Sequence, residues 1–449
     1  MREKNQKQLP LMQSAIDHPQ ADELMRISRI LDDNHIIGQL AMQDLKPNST
    51  KTQAGAKGMS ADQVIRAAII KQMFGFTYED LAFHIIDSQS IRQFCRIGFA
   101  EKGFKKSGLN KNIKALSPQT WEAVNTQLVQ WAKSNKIEKG RQVRIDCTVV
   151  ESHIHDPSDS SLLFDVVRVL ARLLKNIEEL TAKRFYKHDH TRSAKRRMLE
   201  IQYAKTKKVR TSKYKNLIKI TEQTTQYVQK AVAAMESDPS CNLKLFALAS
   251  EMKQYLDLAS RVMDQARRRV INGETVPASE KVVSIFEPHT DIVVKDRRDT
   301  FYGHKVCLTG GASNLIVDCV ITEGNPADST LVEQMLDRQN DIYGKYPLKA
   351  FLDGGFASKD NLNAAKERQI KDVCFAKKRG LAVEDMCRSQ WVYNRLRRFR
   401  AGIESGISWI KRCFGFARCT WKGFRSFKGY VWASIVAANL LTLARKAPG

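Results

Sequence analysis

The 449-residue sequence lacks the long apolar segments that membrane proteins need. It contains no uninterrupted apolar run of roughly eighteen residues, so we expect no membrane span. Its first residues, MREKNQKQLPLMQSAID, are charged and carry no apolar core of the kind that a signal peptide requires. A hydrophobic content of 43% and a mean hydropathy of −0.40 instead indicate a soluble globular protein.

The cysteines lack the spacing of a metal site or of a disulfide framework. All nine are scattered along the chain, and no two of them form a Cys-x-x-Cys pair. Their odd number and wide spacing therefore predict neither a structural zinc site nor a set of disulfides. Because thiols stay reduced in the cytoplasm, the pattern favours a cytoplasmic protein.

Acidic residues are too few to balance the basic ones. The chain has 74 lysines and arginines against 48 aspartates and glutamates, which gives a formal net charge of +26 and a pI of about 9.7. An excess of this size repels itself unless a polyanion is the partner, and it therefore indicates nucleic acid. Solubility alone rarely needs this much charge. A membrane surface is disfavoured because no basic segment accompanies an exposed apolar anchor.

The length predicts two or three domains, since a chain of this size exceeds one compact core. The alternation of helical and strand-like stretches predicts an α/β fold, a mixed sheet flanked by helices, with an all-α N-terminal domain. The predicted parts are a basic N-terminal segment and linker at 1–57, a helical module at 58–139, an α/β domain split between 140–160 and 280–445, and a basic helical insertion at 161–279.

The helical module begins after a turn-rich tract, KPNSTKTQAGAKGMS, that is typical of a linker. Ser60 and Gln63 form a predicted capping box, Gly75 ends the first helix, and Thr77 starts the second. A third helix follows at 88–94. Short helices with tight turns are typical of a helix-turn-helix-like module that contacts DNA. Many helical bundles have the same pattern, so DNA contact and plain packing both stay open.

The strands of the α/β domain carry two aspartates. Asp146 lies in the β-branched segment VRIDCTVVES, and Asp353 ends the short apolar segment PLKAFLDGG. Between them, HKVCLTG and LIVDCVIT are joined by GASN and predict a hairpin. A last strand at 370–376 precedes a helix at 394–414 that carries Glu404. The insertion has a basic tract at 184–219, which predicts phosphate contacts or, alternatively, a solvated helical face.

Three carboxylates can converge in this arrangement. Adjacent parallel strands would bring Asp146 and Asp353 together at one edge of the sheet, and a helix across that edge could direct Glu404 toward them. Three such acids repel one another unless a divalent cation lies between them, and Mg²⁺ and Mn²⁺ prefer carboxylate oxygens. Two such ions about 3.5 to 4 Å apart can activate a water or 3′-hydroxyl for in-line attack on phosphorus.

The predicted helix places cations on the same face as Glu404. Two of these cations precede Glu404, Arg397 by seven residues and Arg400 by four. Lys411 follows Glu404 by seven residues, and Arg412 is next to Lys411. One face would then present a metal ligand between phosphate-binding cations. The alternative is a solvated face on which Arg400 and Glu404 form an ordinary i,i+4 ion pair. The two strand-borne aspartates favour the metal site.

The chain resembles bacterial insertion-sequence transposases of the DDE class along most of its length. RIDCTVVESHIHDPSDSSLLFD resembles the segment around the family's first aspartate, YGHKVCLTGGASNLIVDCVITEGNPADS its central hairpin, and FLDGGFASKDN its second-aspartate segment. Arg400, Glu404 and Lys411 match the Arg-x3-Glu-x6-Lys part of the family's Tyr-Arg-Glu-Lys signature. Arg397 stands where that signature has tyrosine, and Tyr393 lies one helical turn earlier.

The resemblance implies an RNase H-like fold in which Asp146, Asp353 and Glu404 are the catalytic metal ligands. The implied cofactor is Mg²⁺ or Mn²⁺, and the implied partners are double-stranded DNA, as transposon terminal repeats and as target, and a second copy in a homodimer on that DNA. The implied setting is the bacterial cytoplasm, in association with the nucleoid. A metal-dependent nuclease that does not join DNA, and a transposase-derived DNA-binding protein without catalysis, are the alternatives.

Several other residues have two interpretations each. His304 and Lys305 begin a strand and either contact DNA phosphate or have structural roles. His153 and His155 form a His-x-His pair that is either a metal site or part of a loop. Trp421 could stack on an unpaired base, whereas Trp432 fits core packing better. The pair Asn325 and Asp328 fits turn and N-cap positions, with a place near the site implied by the resemblance.

Overall fold

The computed structural model describes residues 16–45, 58–98, 101–237, 242–295 and 299–447. The helices in these ranges are α1 (Pro19–Asp33), α2 (Ile36–Leu45), α3 (Ala61–Phe74), α4 (Tyr78–Asp87), α5 (Gln89–Phe94), α6 (Lys106–Ala115), α7 (Pro118–Ser134), α8 (Asp159–Thr181), α9 (Thr191–Gln202), α10 (Lys207–Glu236), α11 (Leu243–Ala266), α12 (Val332–Tyr343), α13 (Lys359–Glu367), α14 (Val383–Met386), α15 (Gln390–Phe399), α16 (Ala401–Cys413) and α17 (Phe424–Lys446). The strands are β1 (Gln142–Glu151), β2 (Asp291–Lys295), β3 (Asp299–Gly311), β4 (Ile316–Ile321), β5 (Lys349–Leu352) and β6 (Asp372–Phe375).

The six strands form one mixed sheet in the order β2-β3-β1-β5-β6, with β4 paired to β3. β1 runs antiparallel to β3 and parallel to β5, which is in turn parallel to β6. The predicted hairpin is confirmed, because β3 and β4 pair as antiparallel strands. At its turn, the Gly311 amide donates to the Leu315 carbonyl at 2.9 Å. The α/β class predicted from the sequence is confirmed, with helices packed on the mixed sheet.

Local sequence signals fix the start of the helical module. Ser60 and Gln63 make both hydrogen bonds of the predicted capping box, and Gly75 ends α3 in the left-handed conformation. Thr77 then caps α4 through a second capping box with Asp80. The linker predicted at 46–57 lies outside the described residues, whereas α1 and α2 within the N-terminal segment were not predicted.

The N-terminal helices and the sheet share one hydrophobic cluster. Its centre is α17, which packs against α7, α3 and α1 as well as β4. By length and composition α17 could cross a membrane, but 89% of its apolar window is buried in the protein. It therefore packs as a core helix of the protein.

The insertion has its own hydrophobic cluster. Helices α8, α9, α10 and α11 pack on one another, and buried residues of all four line the cluster. At 30 residues, α10 extends for roughly 45 Å at 1.5 Å per residue. The apolar stripe of α8 explains this packing, because its valines and leucines recur at helical spacing along one side.

The structure pairs two cysteines that the sequence left unpaired. Cys147 on β1 and Cys307 on β3 lie directly opposite each other and form a disulfide. The expectation of no disulfide is therefore corrected: 160 residues separate the two cysteines in sequence, and only the strand register brings them together. The other described cysteines are free thiols.

Arg338 on α12 joins three elements through a buried ion pair, and we expect its loss to destabilise the fold strongly. Its guanidinium donates to both carboxylate oxygens of Asp318 on β4, each at 2.6 Å, and also contacts Glu122 on α7. Only 2% of the Asp318 side chain is exposed. Arg338→Met would leave this carboxylate buried and unpaired, at a cost of about 3–5 kcal/mol in the free energy of unfolding.

Arg368→Met is the matched control for chemical denaturation. Arg368 also pairs with two acids, but Asp337 and Glu333 are 47% and 62% exposed. Exposed pairs of this kind contribute about 1 kcal/mol or less. Equal losses in the two variants would contradict the importance of the buried Asp318 partner.

Candidate active site

Asp146 and Asp353 lie side by side at the point where β5 separates from β1. Ile145 on β1 pairs with Leu352 on β5, and the Asp353 amide then donates to the Ile145 carbonyl at 3.3 Å. β5 ends here because Asp353 precedes two glycines and becomes the N-cap of a 3₁₀ turn. β1 continues beside β3, so Asp146 lies within a strand and next to a strand end. The arrangement expected for the two aspartates is present.

The proximity of the two aspartates changes the acidity of Asp146. Burial, followed by the negative charge of Asp353, raises the pKa of the Asp146 carboxyl to about 6. A backbone hydrogen bond from Cys147 and the charges of Lys295 and Arg400 act the other way. Such a buried carboxylate beside a second one favours a neighbouring cation.

Arg400 connects the second aspartate to Glu404. Its Nη2 atom lies 3.2 Å from Asp353 Oδ1 and 2.6 Å from Glu404 Oε1. Glu404 therefore lies near Asp353, with the guanidinium between them, and the i,i+4 ion pair considered as the alternative is also present. Among the described residues, no three His, Cys, Asp or Glu side chains are spaced to hold a metal ion. The Arg400 guanidinium lies between Asp353 and Glu404, so the three carboxylates do not converge on one point.

Glu404 lies on a second helix rather than in the middle of one. The helix predicted at 394–414 is divided into α15 and α16, which meet at Arg400. Arg400 keeps helical dihedral angles, but the Ile403 amide bonds to the Arg400 carbonyl three residues back at 2.9 Å, which tightens the turn. The prediction of one continuous helix was wrong, because the contacts that shape the junction come from distant segments, such as the hydrogen bond from Arg144 to the Phe399 carbonyl.

The family comparison covers the part of the chain that carries two of these acids. Residues 289–440 match the model of the transposase DDE domain family. This match supports a DDE-class transposase. The resemblance to DDE-class transposases is thereby confirmed, and both Asp353 and Glu404 lie within the matched residues. A search of curated proteins found no match, and a search of solved structures found none either.

The cations of the DDE domain surround Glu404 at different exposures. Arg397 and Arg412 are exposed on α15 and α16, whereas Arg400 is half-buried between Asp353 and Glu404. Lys411 is also partly buried, and burial followed by the nearby charge of Lys295 lowers its pKa. The tightened turn at Arg400 separates Arg397 on α15 from Lys411 and Arg412 on α16. These cations therefore do not lie on one continuous helical face.

His304 and Lys305 are engaged within the DDE domain. His304 is 1% exposed, and its two ring nitrogens contact His289 at 2.8 Å and Asp291 at 2.9 Å. Lys305 Nζ donates to the Pro326 carbonyl and, at 2.7 Å, to a carboxylate oxygen of Asp328. The prediction of phosphate contact by His304 is corrected, because burial leaves it no free ring nitrogen. Lys305 has a structural ion pair in this conformation.

The remaining candidates have mostly structural positions. His155 lies 3.6 Å from Asp165, and the described residues around His153 and His155 do not form a metal-binding group. Trp421 is 3% exposed, so stacking on a base is excluded in this conformation. Tyr393 is 2% exposed and its hydroxyl contacts the Phe375 carbonyl, so it does not replace the tyrosine of the signature.

Asn325 and Trp432 have the structural roles expected for them, whereas Asp328 is not the expected N-cap, because Ala327 has that position. Asn325 has a positive φ of 49°, which fits a turn, and Asp328 starts a 3₁₀ segment before α12. Trp432 is buried in the core, at 4% exposure.

Two features beside the carboxylates were not predicted from the sequence. Arg144 is a charged residue within an apolar strand, two positions before Asp146, and this alternation could have marked it. The chain of contacts from Glu287 through His289 and His304 to Asp291 joins residues of separate segments. Histidines at unrelated spacings carry no sequence signal for such contacts.

Asp146→Asn is expected to stabilise the protein while removing one carboxylate of the site. The pKa of Asp146 is raised from its ordinary value of 3.8 to about 6, so its folded form holds a proton more tightly than its unfolded form. The wild type therefore loses stability as pH rises from about 4 to about 6, relative to the variant. At pH 7 the variant should have a free energy of unfolding higher by about 1–3 kcal/mol.

Denaturation of both proteins at pH 4, 5, 6 and 7 tests this expectation. Asp360→Asn is the control, because Asp360 is exposed on α13 and its replacement changes the charge of the protein by the same amount as Asp146→Asn. A variant that is less stable than the wild type at pH 7 would contradict the assigned environment of Asp146.

Proposed function

We propose that this chain is a DNA transposase of a bacterial insertion sequence. It would cut the ends of the element and join the freed 3′-hydroxyl groups to target DNA by phosphoryl transfer that depends on two divalent metal ions. The observation that supports this best is the site itself: within and beside the residues that match the transposase DDE domain, Asp146 and Asp353 are adjacent, and Arg400 connects Asp353 to Glu404.

The strand order supports an RNase H-like fold for the DDE domain. Strands β4, β3 and β1 are successive antiparallel neighbours, and β5 and β6 continue the sheet in parallel. We infer that the catalytic domain is split between 140–160 and 280–445, with the insertion at 161–279 and the helical module at 58–139. In this division Asp146 comes from the first part, and Asp353 and Glu404 come from the second.

The donor chemistry of the site fits Mg²⁺ or Mn²⁺. All three side chains are carboxylates, which these ions prefer, and burial followed by the charge of Asp353 raises the pKa of Asp146. Asp146, Asp353 and Glu404 would hold the metal ions. When bound, these ions would supply activation of the attacking oxygen and neutralisation of charge on phosphorus.

Arg400 would exchange partners during the reaction. In the described conformation its guanidinium neutralises Asp353 and Glu404. Once these acids bind metal, the guanidinium is free to donate to a DNA phosphate, for which its planar fork is well suited. Arg397, Lys411 and Arg412 would contact the same DNA backbone, because they flank Arg400 and Glu404 on α15 and α16.

Contacts farther along the DNA are assigned to the insertion. The segment 191–219 has one acid, Glu200, which pairs with Arg197 and Lys213. Its other cations are exposed: Arg192, Lys195, Arg196, Lys205, Lys207, Lys208, Arg210, Lys215 and Lys219. These would bind phosphates of double-stranded DNA without reading its sequence. The helical module would recognise the terminal repeats, and a homodimer would bring two ends together in the bacterial cytoplasm, close to the nucleoid.

A cutting and joining assay tests the proposal against its two alternatives. Labelled linear DNA carrying the inverted repeats that flank the coding region would be incubated with the protein, a supercoiled target and Mg²⁺ or Mn²⁺. We expect cut ends and joined products. Cut ends without joined products would favour a nuclease, and binding without cutting would favour a DNA-binding protein that has lost catalysis.

A further inference from the structure

Arg144 is a buried cation that connects β1 to the junction of α15 and α16. It is 4% exposed, and it lies two residues before Asp146, so the two side chains share one face of the sheet. Among the described residues it forms no ion pair with a carboxylate. Its Nη1 donates to the Phe399 carbonyl at 2.9 Å, its Nη2 donates to Asn314, and its Cζ lies 4.4 Å from the centre of the Phe399 ring.

Two glycines allow the close approach of α16 to this arginine. A Cβ atom at Gly402, in the first turn of α16, would overlap the Arg144 guanidinium. A Cβ atom at Gly310, which is opposite Arg144 on β3, would lie 2.8 Å from Ile403. The first turn of α16 therefore packs in direct contact with β1 and β3. A shift of this helix would collide with the sheet or lose contact with it.

The same junction carries the residues of the proposed active site. Phe399 is bonded to Arg144, and the next residue, Arg400, contacts both Asp353 and Glu404. A buried guanidinium without a carboxylate partner costs free energy, so stability alone explains Arg144 poorly. We propose that Arg144 is a positioning residue, which fixes the junction of α15 and α16 and so holds Glu404 beside Asp146 and Asp353.

This inference rests on the proposed function and is tested by metal binding as well as by activity. Arg144→Gln and Arg144→Lys, in the full chain, would be compared with the wild type by calorimetric titration with Mn²⁺ and by DNA cleavage. Groups that orient metal ligands typically change metal affinity or activity by about 10–100-fold when replaced. We expect Arg144→Gln to lose affinity for Mn²⁺ and cleavage rate by this factor, with unchanged DNA affinity because Arg144 is buried. Arg144→Lys should recover only part of the loss, since lysine lacks the fork that reaches both acceptors.

Arg388→Gln is the control for a loss of stability alone. Arg388 pairs with the buried Asp372 at 3.1 Å, away from the carboxylate site. Its replacement should lower the melting temperature and leave the affinity for Mn²⁺ unchanged. If Arg144→Gln behaves in the same way, the positioning role is refuted and Arg144 is only a structural residue.

Gly402→Ala tests the same contact from the other side. Its Cβ would displace the guanidinium, so we expect a similar loss of Mn²⁺ affinity while Arg144 is still present. In Arg144→Ala the space is free, and adding Gly402→Ala should therefore cause no further loss. Additive losses in this double-mutant cycle would overturn the proposal. Should Arg144→Gln not fold at the assay temperature, Gly402→Ala alone, which keeps Arg144, decides the matter: unchanged Mn²⁺ affinity would overturn the proposal.

The outcomes separate this inference from the proposed function. If all the Arg144 and Gly402 variants bind Mn²⁺ and cut DNA like the wild type, while Glu404→Gln does not cut, the positioning role fails and the transposase site stands. A wild type that neither binds Mn²⁺ nor cuts DNA would overturn both.

Discussion

Asp353→Asn is expected to reduce DNA cleavage by about 10³-fold or more. The variant keeps the size of the side chain but removes one of two adjacent carboxylates, and a metal ion contributes several kcal/mol of charge stabilisation during phosphoryl transfer. A loss of about 4 kcal/mol corresponds to roughly three powers of ten in rate. The rate of cleavage of end-labelled DNA, under single-turnover conditions and at saturating protein, measures the effect.

The control for this prediction is Asp360→Asn in the same domain. Asp360 is exposed in the first turn of α13, seven residues after Asp353, and should be replaceable without loss of cleavage. Asp353→Asn should also bind DNA at least as well as the wild type, because it removes a negative charge. A variant that cuts DNA within a few-fold of the wild type would exclude Asp353 from catalysis.

DNA affinity is expected to fall by about 10³-fold between 50 and 200 mM salt. Proteins that make six to ten phosphate contacts lose roughly 10³ to 10⁵ over this range, because neutralised phosphates release counterions. The net charge of +26 and the exposed cations of the insertion predict a dependence of this size. Equilibrium binding to duplex DNA at several salt concentrations gives the slope.

A triple variant locates the contacts along the insertion. Lys207, Lys208 and Arg210 are exposed at the start of α10, and their replacement by glutamine should reduce the slope of log affinity against log salt by about three. The control replaces Lys230, Lys244 and Lys253, which are exposed too. Lys230 lies 23 residues along the same helix from Lys207, or about 35 Å. Equal changes of slope in both variants would mean that only net charge matters.

The sequence was sufficient where a local signal decides the structure. Ser60 and Gln63 marked the start of α3 because a capping box is made within one turn. Asp353 could be assigned to a strand end because the two following glycines interrupt β5. The adjacency of Asp146 and Asp353 followed from parallel pairing, which the apolar segments predicted. The transposase resemblance rested on the same segments.

The sequence was insufficient where contacts between distant segments decide the structure. The helix predicted at 394–414 is divided at Arg400, next to a contact in which Arg144 donates to the Phe399 carbonyl across 255 residues. The sequence left phosphate contact and a structural role both open for His304, because its contacts with His289 and Asp291 join separate segments. Cys147 and Cys307 are neighbours only through the register of β1 and β3.

The central claim is that Glu404 completes a metal-dependent active site with Asp146 and Asp353, and Glu404→Gln tests it most directly. The variant keeps the shape of the side chain and removes its charge. Wild type and variant would be compared for binding, cutting and joining of DNA that carries the element's ends, with Mg²⁺ or Mn²⁺. We predict that the wild type cuts and joins, whereas the variant binds DNA and does neither. If both proteins cut and join alike, Glu404 is only the ion-pair partner of Arg400, and the assignment of the three carboxylates is wrong.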